Sequence, residues 1–159
     1  VDTGLNTMTG GRVKRIRPYL EEKPFMLTYG DGVADVNLKK LVEFHQSHGR
    51  IATITAVNVG QRFGVLDVQQ NGAIQAFREK NDRDGALING GFMVMNPEIF
   101  DYIEGDDTVL EKEPLENLAR DGQLMAFTHE GFWKCMDTQR DKQQLETMWQ
   151  SGRAPWKIW

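Results

Sequence analysis

A layered α/β domain is what this sequence predicts, on three observations. Short runs rich in β-branched or aromatic residues alternate with stretches whose apolar residues recur at helical spacing. An Asn71-Gly72 pair stands between two strand-like runs, which predicts one antiparallel hairpin inserted into the layers. At 159 residues with 40% hydrophobic content, the chain can bury one core, so a single domain over 1–159 is expected.

Each element follows in order. Thr7 or Thr9 caps a helix over roughly Arg12 to Leu20, and Pro24 follows its end. "FMLTY" (Phe25 to Tyr29) is a buried strand that runs into the turn Gly30-Asp31-Gly32. Asn37 is the N-cap of a helix in which Leu38, Leu41, Val42 and His45 share a face, and Gly49 closes it. "IATITAVNV" (Ile51 to Val59) is a core strand by its β-branched content. "GVLDVQ" and "AIQAFRE" form the hairpin. "ALINGGFMVMN" (Ala86 to Asn96) is a strand whose Gly90 and Gly91 point to a bulge or to a ligand approaching the backbone. Pro97 opens a short helix, "PLENLARDG" is another ended by Gly122, and two short strands flank Gly131. In the last helix Thr138 and Asp141 have capping-box spacing, and Leu145, Met148 and Trp149 share a face.

Composition excludes several classes. The net charge of −4 argues against a nucleic-acid surface, and the only basic cluster, "GRVKRIRPYLEEK", reads as a solvated helix face rather than a phosphate stripe. One cysteine, Cys135, allows no intrachain disulfide and fits a reducing, cytoplasmic setting; its expected role is packing beside Trp133. No apolar run reaches membrane-spanning length and no leader pattern opens the chain, so no membrane partner is expected. The opening "VDTG" reads as the tail of a strand whose upstream partner lies outside the sequence.

Ligands of open α/β sheets bind beyond the carboxyl ends of the strands. Asp31 and Asp137 fall there, and two such carboxylates make a hard oxygen site suited to Mg²⁺ shared with substrate phosphates. Singly, Asp31 also reads as bonding its own turn and Asp137 as a helix cap. Lys80, after the hairpin, is placed to meet a phosphate or to lie exposed beside Asp82 and Asp84. Asn89 offers a donor and an acceptor to sugar hydroxyls, or bonds its own backbone at a bulge. Thr9-Gly10-Gly11 is a turn that leaves N–H groups free for an anion or base edge, or simply caps a helix. His45, His48 and His129 show no zinc pattern, and neither a nucleophile elbow nor a Walker loop is present.

Taken together, "MTGGRVKRI", "FMLTYGDGVADV", "RFGVLDV", "FREK", "INGGFMVMNP" and "FWKCMDTQRDK" resemble the sugar-phosphate nucleotidylyltransferases, within them the glucose-1-phosphate cytidylyltransferase branch. The resemblance covers the whole chain. It implies a Rossmann-like, GT-A-type fold with a mixed, mainly parallel sheet. It implies cytidylyl transfer from CTP to α-D-glucose 1-phosphate, giving CDP-glucose and pyrophosphate on the way to surface polysaccharides. Asp31 and Asp137 would hold Mg²⁺, Lys80 the sugar phosphate and Glu79 a sugar hydroxyl. Gly64 and Asn89 would line the sugar pocket, with Gly10 and Gly11 against the nucleotide. The family's glycine-rich triphosphate loop has no counterpart here, so the chain is expected to be the C-terminal two-thirds of a homo-oligomeric enzyme, N-terminally truncated and inactive alone. A non-catalytic nucleotide-sugar-binding module, or a relative using another base or sugar, are the alternatives.

Overall fold

The computed structural model describes residues 1–59, 65–68, 74–78 and 87–158, the strands 65–68 and 74–78 by backbone alone. A four-stranded sheet in the order β1-β6-β3-β7 forms the centre, from β1 (Phe25–Thr28), β3 (Ala52–Asn58), β6 (Leu87–Met95) and β7 (Leu124–His129). β6 runs antiparallel to both β1 and β3, while β3 and β7 are parallel. Three strands thus point one way and one the other, which is the mixed, mainly parallel sheet expected. β2 (Gly32–Ala34) and β8 (Trp133–Cys135) form a separate antiparallel ribbon, and β4 (Val65–Val68) pairs with β5 (Ile74–Arg78) as the predicted hairpin. The Asn71-Gly72 turn lies outside the described residues.

Period-two alternation along β6 builds two cores at once. Met93 and Met95 pack with Ile99, Phe100, Ile103, Leu115 and Leu118 on one face, and Val94 packs with Val36 and Leu41 on the other. The first face carries α1 (Thr9–Ile16), a 3₁₀ turn at Pro97–Tyr102 and α3 (Glu113–Arg120); the second carries α2 (Leu38–His48). β1 alternates half-buried and exposed side chains, so the expectation of a fully buried strand is corrected. Leu38 is likewise exposed, whereas Leu41 and His45 are buried as the helical spacing requires.

A closed hydrogen-bond circuit fastens α2 to β3. The Arg50 N–H donates to His48 Nδ1 at 2.9 Å, which leaves the His48 proton on Nε2 to meet Thr53 Oγ1 at 2.8 Å. Asn96 Nδ2 donates to the Arg50 carbonyl at 3.0 Å, so its Oδ1 accepts from His45 Nε2 at 3.1 Å. Thr53 then donates to His45 Nδ1 at 2.9 Å. Burial, then the neighbouring His45 and Arg50, holds His48 below the ordinary histidine range.

Helix boundaries differ from expectation at one place. α1 starts at Thr9 and ends at Ile16, with a 3₁₀ turn at Arg17–Tyr19. Pro18 has no N–H to return to the Lys14 carbonyl, so the α-helical ladder stops there although Arg17 keeps helical backbone. Neither threonine caps it: Met8 is the N-cap and supplies no side-chain bond. Elsewhere Asn37 accepts from the Lys40 N–H, Gly49 ends α2 at φ 63°, and the Thr138–Asp141 capping box opens α4 (Gln139–Gln150). The basic cluster is not simply solvated. Arg15 grips Asp106 through two nitrogens, and Lys14 Nζ donates to the carbonyls of Ile103 and Glu104. Among the described residues no helix is long and apolar enough to cross a membrane.

Candidate active site

The carboxyl ends of β1, β3 and β7 share one edge, and antiparallel β6 brings its amino end to the same edge, with Leu87 opposite Asn58. Asp31 follows β1 there. The β2–β8 ribbon pairs Gly32 with Cys135, and the Met136 N–H donates to the Asp31 carbonyl at 2.8 Å. Asp31 and Asp137, 106 positions apart in the sequence, are therefore neighbours across the end of one ladder.

Both carboxylates are exposed. The alternative reading of Asp137 as a helix cap is removed, since Thr138 caps α4. Asp137 Oδ2 accepts the Cys135 thiol at 3.1 Å. Burial, reinforced by that carboxylate, pushes the thiol's pKa up and makes it a poor nucleophile. No hydrogen bond or ion pair engages the Asp31 side chain among the described residues, so the reading in which it closes its own turn falls away. A pair of little-engaged carboxylates beside the sheet edge fits a hard divalent cation that shares its remaining positions with phosphate oxygens. Among the described residues no group of three or more His, Cys, Asp or Glu that could hold a metal ion is present.

Asn89 stands one strand from Asp31. Its Oδ1 accepts the Gly91 N–H at 2.9 Å and its Nδ2 faces Tyr29 Oη at 3.3 Å. The expected bulge is present: Ile54 pairs with Met93 but Ala56 with Asn89, so β6 spends extra residues around Gly90-Gly91. Gly91 has φ +80°, and a Cβ there would lie 2.6 Å from Tyr29 Cδ2. The close approach is made by protein groups. Trp133 Nε1 donates to the Gly90 carbonyl at 2.7 Å, locking β8 to the bulge.

Gly10 and Gly11 correct one expectation. Their N–H groups are not free, since both donate to the Thr108 carbonyl, at 2.9 and 3.3 Å. A Cβ on Gly10 would meet Thr108 O at 2.8 Å, and one on Gly11 would meet Asp106 O at 2.5 Å. These glycines let α1 lie directly on the 105–110 loop.

That loop carries a residue the sequence reading missed. Glu111 accepts Thr9 Oγ1 at 2.7 Å and Tyr29 Oη at 2.5 Å. Partial burial works to raise the Glu111 pKa, but the hydrogen bonds from Thr9 and Tyr29 outweigh it and hold the group below the usual carboxylate range. Burial, and then the same Glu111 contact, raises the Tyr29 phenol. Lys80, Glu79 and Gly64 lie outside the described residues. A cavity of about 230 Å³ opens along β8, lined by Asn58, Val59, Trp133, Lys134, Cys135 and Asp141. A larger one, about 480 Å³, is lined by Tyr102, Glu104, Asp107 and others, none of them a residue of the carboxylate edge.

Comparison with known proteins places this geometry. The family model described as Nucleotidyl transferase matches residues 8–140. Glucose-1-phosphate cytidylyltransferase from Salmonella typhi is 53% identical over 160 residues, covering 100% of this chain and 62% of that protein. Mannose-1-phosphate guanyltransferase from Saccharomyces cerevisiae is 34% identical, over 84% of this chain and 39% of that protein. The chain thus spans about 62% of the length of the cytidylyltransferase it matches. Among solved structures, UDP-glucose pyrophosphorylase complexed with UDP-glucose superposes with TM-score 0.67 at 15% identity, covering 96% of this chain and 66% of that one. HddC from Yersinia pseudotuberculosis gives TM-score 0.65 at 21% identity, covering 89% and 62%. Both share the fold.

Proposed function

Because the chain belongs to the nucleotidyl transferase family, we propose that the whole protein transfers a cytidylyl group from CTP to α-D-glucose 1-phosphate. The products are CDP-glucose and pyrophosphate. A phosphate oxygen of the sugar phosphate attacks the α-phosphorus of CTP in line. A new P–O bond forms, and the bond to the β-phosphate breaks with its electron pair leaving on pyrophosphate. No protein nucleophile is needed, so the chain contributes positioning and charge neutralisation. The reading is carried by the juxtaposition of Asp31 and Asp137 at the sheet edge. The degree of identity to the cytidylyltransferase, 53% against 34% for the guanyltransferase, favours cytosine and glucose.

In this proposal Asp31 and Asp137 would hold Mg²⁺, which supplies neutralisation of phosphate charge when bound. Lys80 meets the attacking phosphate as a point charge, Glu79 takes a sugar hydroxyl, and Gly64 and Asn89 line the sugar pocket. Gly10 and Gly11 act on the nucleotide side by seating α1 rather than by offering free N–H groups. The enzyme works in the cytoplasm as a homo-oligomer.

Titration calorimetry of the chain with CDP-glucose and Mg²⁺ tests the site. Binding should require the metal and be lost in Asp31→Asn. Metal-independent binding, or binding unchanged by that substitution, refutes the placement. For the whole protein, a preference for UTP, dTTP or GTP over CTP would refute the base assignment.

A further inference from the structure

We infer that Glu111 is a positioning residue for the sugar-phosphate substrate, acting through Tyr29 to hold the Asn89 amide nitrogen in place. The inference rests on the proposed sugar-side role of Asn89. The Gly91 N–H can only donate, so the Asn89 atom 2.9 Å away is the amide oxygen. The Asn89 nitrogen must then face Tyr29 Oη, at 3.3 Å, and donate to it. Having accepted that bond, the Tyr29 hydroxyl turns its own proton to Glu111 Oε1 at 2.5 Å. The other carboxylate oxygen accepts Thr9 Oγ1 at 2.7 Å, and Thr9 in turn accepts the Leu110 N–H at 2.9 Å. Every proton in the chain from Asn89 to Glu111 points the same way.

The carboxylate accepts both hydroxyls at once and donates to neither, so the Tyr29 proton stays off the Asn89 side. Without that acceptor the Tyr29 hydroxyl is free to turn its proton toward Asn89, and the amide, fixed at its oxygen by the Gly91 N–H, loses the partner of its nitrogen. As built, it keeps one N–H and one lone pair of Oδ1 for a ligand, a donor and acceptor side by side as a sugar hydroxyl pair requires. The relay joins three separate stretches, "MTGG", "YGDG" and "INGG", through a residue outside all of them. Glu111 is exposed, so its bonds contribute little to global stability.

The test uses the complete gene product with Glu111→Ala, Tyr29→Phe and the double substitution. Each single change should raise KM for glucose 1-phosphate by about tenfold, the upper size of one lost hydrogen bond between neutral groups, and leave KM for CTP and kcat within about twofold. The double variant should be no worse than either single one, since both cut one chain. Unchanged KM for the sugar phosphate in variants that melt with wild type overturns the inference, as does a parallel shift of both KM values and kcat. A second readout is independent of turnover: the Asn89 side-chain amide signals in ¹⁵N spectra should move in both single variants. Signals that coincide with wild type refute the relay. Wild-type protein with no cytidylyl transfer, but with the amide signals moving, refutes the proposed function and leaves the relay standing.

Discussion

Thr53→Val isolates the circuit that ties α2 to the sheet. The substitution exchanges a hydroxyl for a methyl of similar size at a position with 0% exposure, so packing is nearly conserved. It removes the donor to His45 Nδ1 and the acceptor of His48 Nε2 together. A buried polar group left unpaired costs about 1–3 kcal/mol. His45, 2% exposed, bears the full range, while half-buried His48 recovers part of its bond from water. The added methyl returns about 0.8 kcal/mol. The net loss is then about 1–3 kcal/mol, which for a chain of this size lowers the melting midpoint by roughly 2–12 °C. Differential scanning calorimetry at pH 7.5, with urea unfolding beside it, reads the effect. Thr53→Ser keeps both hydrogen bonds and should lie between wild type and the valine variant. A valine variant as stable as wild type would mean that the circuit contributes nothing and that His45 and His48 are satisfied by other partners.

Two further outcomes follow from local geometry. Gly91→Ala forces a Cβ to φ +80° and to 2.6 Å from the Tyr29 ring, whereas Gly49→Ala meets only φ +63° with open space around it. The second should cost the backbone strain alone, about 1–3 kcal/mol, and the first should cost clearly more by urea midpoint; equal losses refute the packing argument. Asp141, held by hydrogen bonds from Thr138 and then Lys134, titrates at about 2 rather than 3.8. Its folded pKa lies below the unfolded one, so its stabilisation is present above pH 4 and fades as pH falls toward 2. Asp141→Asn should flatten the acid-side stability curve over that window, and an unchanged slope would show that the capping box does not govern it.

The legible parts of this molecule are those whose causes are local in sequence. Asn37, Thr138 and Gly49 declared helix ends because a cap is a contact over three or four residues. Gly90-Gly91 declared a bulge because two glycines in a strand have few other uses. The placement of Asp31 and Asp137 was also readable, since each ends a strand before a turn and open sheets bind ligands at that edge. Strand direction was not readable from alternation, which is why β1 read as buried: its open side is set by which strands pair with it.

What sequence reasoning missed is governed by contacts about a hundred positions apart. The helix around Gly10 begins early because the N–H groups of Met8 and Gly10 find carbonyls at Asp106 and Thr108, partners that no local pattern announces. The same distant loop delivers Glu111 beneath Tyr29. In "TVLEKEPL" it is one of three acidic or basic neighbours with no spacing to single it out. Its significance arises only when the fold stacks "MTGG", "YGDG" and "INGG" around one carboxylate. Gly10, Gly11 and Gly91, read from sequence as room for a ligand, are first of all room for a neighbouring backbone and for the Tyr29 ring, whereas Gly30 has open space around it. Close packing of these segments is what holds the sheet edge in the shape a substrate would meet.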